Sequence, residues 1–215
     1  MFLDPSTIIQ ALNQRQAVKQ FNSDYVLESR YMDAVIDSIN LAPTSFGLQP
    51  FKLLQIQNKE LRKQIRQIAW NQAQVTEASE LLVWTVEQDL SAVLDKYAVM
   101  SQALRNYTKE DALKYADFIR EFIAVRELES NNFYSEWAAR QAYISLGFAI
   151  QTFALLGIDC CPMEGFDKNK LDILLELPEK NLSSVVMLAV GKKSNLEETS
   201  VKIRLNKTDL LKIVK

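Results

Sequence analysis

Two pairs of cations stand near opposite ends of this chain. Arg15 and Lys19 are four residues apart and share a face wherever the backbone stays helical. Lys202 and Arg204 flank Ile203 and point to one side of an extended segment. Guanidinium and ammonium groups brought together in this way suit a phosphate. Between the pairs lie two loops rich in hydroxyls, amides and turn formers. One is Leu41-Ala42-Pro43-Thr44-Ser45-Phe46-Gly47-Leu48-Gln49-Pro50-Phe51. The other is Asn71-Gln72-Ala73-Gln74, followed by Glu77-Ala78-Ser79. Such loops aim side chains and backbone N–H groups at a ligand. Read jointly, the four segments could clamp a phosphorylated planar molecule. Read singly, each has an ordinary explanation: a solvated helix face, a solvated tail, or surface caps.

Absences narrow the chemistry. The 215 residues include no histidine, so no Ser-His-Asp or Cys-His arrangement can form. Zinc would have only the adjacent Cys160 and Cys161 with carboxylates, a poor ligand set, and no metal site is expected. Among the five glycines there is no G-x-G-x-x-G and no G-x-x-x-x-G-K-[ST]. A phosphate would therefore be held largely by side chains. The net charge of −2 suggests no general affinity for nucleic acid or an anionic membrane. The vicinal cysteines are no disulfide framework, and they read best as small buried hydrophobes. Without a signal-peptide pattern at the start, a reducing cytoplasm is the expected location.

The elements that must position these residues can be read from periodicity. At 215 residues and 48% hydrophobic, the chain suits a single domain with an ample core. Asp4-Pro5 reads as an N-cap and first helical residue of a helix reaching about Arg15. Helical spacing continues over 27–41, 59–70, 90–104, 109–130, 137–156 and 166–175. Strands are expected at 51–56, 81–86, 158–161 and 185–190. Gly157 suits the C-cap of the 137–156 helix. That helix is too apolar for a surface helix, so it belongs in the core or at a subunit interface. Few strands among many helices argue α+β or α/β, with a small central sheet wrapped by helices.

At this point the chain resembles the nitroreductase family of FMN-dependent oxidoreductases. The resemblance is carried by Arg15-Gln16-Ala17-Val18-Lys19-Gln20-Phe21, the Ala42–Phe51 loop, Asn71-Gln72-Ala73-Gln74-Val75 with Ala78-Ser79, and Pro162-Met163-Glu164-Gly165-Phe166-Asp167. Gln141 and Lys202-Ile203-Arg204 complete it, in family order and over almost the full length. It implies an α+β fold with a mainly antiparallel sheet and FMN at a homodimer interface. Arg15, Lys202 and Arg204 would hold the phosphate, with Gln16 and Ala17 also in the cofactor site. Lys19 would sit at the N1–C2=O edge, and Asn71 at the pyrimidine edge. Pro43, Thr44, Ser45, Gly47 and Gln141 would come from the other subunit. Pro162, Met163, Glu164 and Gly165 would back the ring, with the Glu164 and Gly165 N–H groups near N5 and O4. Gln74 stands where some members carry a second cation, so a lower flavin potential is expected here.

The same resemblance implies a two-step reaction with NADH or NADPH as donor. The acceptor would be a small molecule: a nitroaromatic, a quinone, a flavin or an enone. Phe46, Trp70 and Phe122 are the aromatic candidates for its pocket. The alternatives are a specialised flavoprotein of the same fold (dehalogenase-like or flavin-destructase-like), a flavin-binding protein without turnover, or a helical interaction module.

Overall fold

Proline loses nothing at a first helical turn, whose N–H is unpaired anyway. In the computed structural model, which describes residues 3–196, 198 and 200–214, helix α1 accordingly runs Pro5–Gln14. The Asp4 carboxylate caps it by accepting from the Ser6 N–H. The expected helix to Arg15 therefore ends one residue early, and Arg15 is already extended at ψ 134°. The physical reason lies downstream, where Ala17 makes a parallel bridge to Cys160. Docking on a strand wins over helical spacing, so Arg15 and Lys19 do not share a helix face.

The remaining helices are α2 (Ser29–Asn40), α3 (Lys59–Ile68), α4 (Gln74–Glu77), α5 (Leu90–Arg105), α6 (Lys109–Glu129), α7 (Phe133–Leu155), α8 (Lys168–Leu174) and α9 (Lys207–Leu210). The strands are β1 (Phe51–Gln55), β2 (Glu80–Glu87), β3 (Asp159–Met163) and β4 (Leu182–Gly191). They form one sheet in the order β1-β2-β4-β3, antiparallel throughout. Pro162 is tolerated because β3 is an edge strand. Gly157 takes φ 69° just beyond α7, and Ile158 N–H bonds back to the Phe153 carbonyl, closing the helix as its position suggested.

The sheet separates two hydrophobic clusters. One gathers Trp84, Leu94, Ile119, Phe153 and Cys160 with α2, α5, α6 and α7. The other gathers Val18, Phe21, Ile65, Cys161, Met163 and Leu171. Cys160 and Cys161 are both fully buried, one in each cluster, because neighbours on a strand face opposite sides.

Helix α7 begins at Phe133 rather than Trp137. It buries Trp137, Ala138, Gln141, Ala142, Ser145, Leu146, Ala149 and Phe153. Its other side leaves Tyr143, Ile144, Phe148 and Leu155 at 37–40% exposure. Core packing explains half of its apolarity, and a half-bare stripe remains. Inside the core, Trp84 Nε1 donates to Ser145 Oγ at 2.9 Å, so the polar atoms of this contact are paired.

Candidate cofactor site

The cationic corner forms where the chain beyond β4 returns to α1. Lys202 Nζ donates to the Asn13 carbonyl at the end of that helix. Its pKa is held below the usual lysine value by loss of water, and further by the charges of Arg15 and Arg204. The three cations are thus close enough to repel, and an anion among them would relieve that repulsion. Arg204 Nη1 donates to the Ile203 carbonyl at 2.7 Å. Beside Arg15, the Gln16 amide has both its oxygen and its nitrogen buried without a hydrogen-bond partner among the described residues. A buried amide with neither end satisfied is costly in an isolated chain, and it fits contact with a ligand or a second subunit.

A second group lines the side that would meet a ring. Lys19 Nζ lies 3.5 Å from Cys161 Sγ, and Gln74 Nε2 lies 4.0 Å from the same sulfur. Gln74 is buried, and its amide also reaches Gln72 Oε1 at 3.3 Å. Helix α4, which carries it, spans only four residues, too few for periodicity to reveal. Asn71 sits at φ 57°, with its Oδ1 accepting from Arg66 Nε at 2.9 Å. Pro162 and Met163 end β3, and Glu164 and Gly165 follow directly. Gln72 Nε2 donates to the Gly165 carbonyl at 2.7 Å. Tyr143 Oη donates to the Glu164 carboxylate, and burial together with that partner pushes the phenol well above its ordinary value.

The third group belongs to the loop of Pro43, Thr44, Ser45, Phe46 and Gly47. Gln141 is buried and committed at both ends: its Oε1 accepts from Ser45 N–H at 2.9 Å, and its Nε2 donates to the Trp137 carbonyl at 2.9 Å. In this chain its amide therefore fixes the loop. Phe46 takes φ 58° and packs edge-on against Phe122 at 5.4 Å, with Tyr115 and Phe118 alongside. A cavity of about 520 Å³ is lined by Pro43, Thr44, Phe46, Gly47, Arg105 and Tyr115 among others. Of the three expected aromatic residues, Phe46 and Phe122 meet. Trp70 is 73% exposed and stands with the other half-site, where its ring lies 2.8 Å from the place a Cβ on Gly165 would occupy.

The expected residues thus fall into two half-sites. Val18, Val75, Cys161 and Met163 anchor the one with Lys19, Gln74 and the Glu164–Gly165 turn to one face of the sheet. Phe46, Leu48 and Trp137 anchor the Ser45 loop to the opposite face.

Two residues that spacing did not single out bear on the site. Arg62 is buried, and its guanidinium donates to the carbonyls of Ile56, Ala78 and Ser79. It ties α3 to the segment between α4 and β2. Tyr143 is the other, visible only once α7 and the Glu164 turn are placed together.

The cysteines are buried thiols. Burial pushes Cys160 up to about 12, against the opposing pull of Arg15. A thiol whose folded pKa is raised favours the fold fully below its unfolded value of 9.0, and that contribution is lost between there and about pH 12. At pH 8 the native protein should therefore resist aromatic disulfide reagents, while the unfolded chain should label at both cysteines. Rapid labelling of the folded protein would contradict this burial.

Comparison with known proteins places this arrangement. The sequence profile described as "Nitroreductase family" matches residues 12–192, and the chain belongs to that family of FMN-dependent oxidoreductases. A Staphylococcus epidermidis protein named as an NAD(P)H nitroreductase is 29% identical over 214 residues, which covers 95% of this chain and 96% of that protein. A nitroreductase-like protein of Streptococcus mutans has the same fold at 21% identity, with a TM-score of 0.82 over 98% of this chain and 99% of that one. A nitroreductase of Exiguobacterium sibiricum, solved in complex with FMN, superposes with a TM-score of 0.74 at 16% identity, covering 100% of this chain and 99% of that one.

Proposed function

We propose that this chain is a reductase that uses NAD(P)H to reduce a small flat acceptor through FMN, working as a cytoplasmic homodimer of single-domain subunits. The observation that carries the reading is the meeting of Arg15, Lys202 and Arg204 at the end of α1, next to the unsatisfied Gln16 amide. Those residues would hold the phosphate. Lys19 would place a positive charge at the N1–C2=O edge, and the Glu164 and Gly165 N–H groups would face N5 and O4. Bound FMN would supply the redox chemistry, hydride transfer from NAD(P)H and reduction of the acceptor. Protein side chains then need only bind, orient and exclude water, which accords with a chain without histidine.

The split of the expected residues between sheet faces supports a dimer. So does the segment beyond β4, where Val201, Ile203, Leu205, Leu210, Leu211 and Ile213 are 67–92% exposed. A run of bare aliphatic side chains of this kind marks an interaction surface. With the half-bare stripe of α7, it suits a second copy of the chain, which would bring one subunit's Ser45 loop over the other's Lys19 and Glu164. The Phe46–Phe122 cluster would then form an apolar rim, favouring a nitroaromatic, quinone, flavin or enone. The pairing of α5 with α6, which carries Tyr115, Phe118 and Phe122 to that rim, also suits a covering element of a specialised flavoprotein, and acceptor profiling separates the two readings.

A visible spectrum of the purified protein is the test. The expected protein is yellow, carries one FMN per chain, sediments as a dimer and bleaches anaerobically with NADH or NADPH. Steady-state data with donor and acceptor varied should give parallel double-reciprocal lines, since both would use one space in turn. A colourless protein that FMN does not reconstitute would overturn the proposal.

A further inference from the structure

The Glu164–Gly165 turn is gripped from two sides. Tyr143, from α7, donates its phenol hydrogen to the Glu164 carboxylate. Gln72 donates to the Gly165 carbonyl at 2.7 Å. Space at the turn is tight as well: a Cβ on Gly165 would lie 2.8 Å from the Trp70 ring and 3.0 Å from Gln72 Nε2. Tyr143 is 39% exposed on the side of α7 otherwise occupied by Ile144 and Phe148. A phenol in that aliphatic company, bonded to a carboxylate 21 residues away, has a polar task that packing alone does not require.

We propose that Tyr143 is a positioning residue for the flavin, holding the Glu164 carboxylate so that the Glu164 and Gly165 N–H groups, rather than the carboxylate charge, face N5 and O4. The assignment rests on the FMN reading above. On reduction the negative charge centred at N1 and C2=O is shared by conjugation with O4, and a backbone N–H donor at that carbonyl stabilises it. A carboxylate free to swing towards the edge would oppose it, and a donated hydrogen bond both disperses the carboxylate charge and directs it away. Replacing the phenol frees the carboxylate charge to approach that edge, which disfavours the reduced flavin.

The test uses FMN-loaded Tyr143→Phe, with Glu164→Gln and the double variant. Tyr143→Phe should keep its melting temperature and one FMN per chain. Its two-electron midpoint potential should fall by about 30 mV, a tenfold change in the redox equilibrium. Sulfite affinity should weaken about tenfold in parallel: sulfite's lone pair forms the N5–S bond, and the displaced pair moves onto the N1–C2=O edge as negative charge. Glu164→Gln should show no such fall, and adding Tyr143→Phe to it should change little further. An unchanged potential and sulfite affinity in Tyr143→Phe would overturn the proposal. Equal losses with and without Glu164→Gln would do so too, since Tyr143 would then act elsewhere. Failure of the unsubstituted protein to take FMN would instead refute the cofactor reading, and the proposal with it.

Discussion

The double variant Arg15→Ala, Arg204→Ala is expected to lose most of its affinity for FMN while keeping its fold. Neither side chain is part of the core, and replacing either leaves no buried charge behind. Both lie within electrostatic reach of Lys202, so the site loses two of three converging cations. A hydrogen bond to a charged group contributes about 1.5–3 kcal/mol. Removing two such bonds to a phosphate should raise Kd by roughly a hundredfold or more, at about 1.4 kcal/mol per tenfold. The remaining affinity should depend less on salt, because fewer exposed charges take part. Fluorescence titration of FMN into the FMN-free protein reads both effects. Lys63→Ala, which removes an exposed cation paired with Glu60 on α3, is the control and should leave Kd unchanged. An unaltered Kd in the double variant would mean that these cations are simply solvated and that the phosphate, if bound, lies elsewhere.

Arg62→Leu should be the most destabilising change outside the apolar core. Arg62 is only 7% exposed, and it satisfies three carbonyls: Ile56 through Nε at 2.7 Å, Ala78 through Nη1 at 2.6 Å and Ser79 through Nη2 at 3.0 Å. Burial lowers its pKa, opposed by Glu80, yet no acidic side chain among the described residues is bonded to it. The charge is stabilised by carbonyl dipoles in place of an ion pair. Leucine would fill much of the space and leave those acceptors without their donors, at about 1–3 kcal/mol for each one that stays dry. A total near 3 kcal/mol is expected, because water can reach part of the segment. For a chain of this size that lowers the melting temperature by roughly 6–12 °C. Arg62→Lys should recover only part of the loss, since an ammonium cannot reproduce the planar fork. Two of the three carbonyls, those of Ala78 and Ser79, belong to the link between α4 and β2, so FMN affinity should fall along with stability. A melting temperature within about 2 °C of the unsubstituted protein would show that the three acceptors are readily hydrated.

Periodicity located the four strands and the longer helices, because their patterns follow from local rules: alternation on a pleated strand and a repeat of 3.6 on a helix. The cofactor was legible for a different reason. Arg15, Asn71, Gln141, Glu164 and Lys202 stand in family order, and that order identified FMN chemistry before any geometry was known. Local rules failed where a contact between distant segments decided the backbone. Arg15–Lys19 has helical spacing, but Ala17 is drawn onto the edge of β3 by its bridge to Cys160. Helix α4 is too short to carry a period, and α7 begins at Phe133, a turn before its apolar run suggested.

Partnerships between side chains were beyond the sequence altogether. Nothing in the spacing of Tyr143 and Glu164 announces a hydrogen bond, and nothing about Arg62 distinguishes it from the solvated Lys63 beside it until three carbonyls close around its guanidinium. Gln141 was expected in the site from the family resemblance, yet only the fold shows its amide spent on Ser45 and Trp137. The sequence by itself determined the elements, the family and the cofactor class, since these depend on residue type and order. The tertiary structure decided which polar groups are paired, which remain unsatisfied in the single chain and which half-sites lie on opposite faces of the sheet. Those outcomes depend on distances between residues far apart in the chain, which no local pattern encodes.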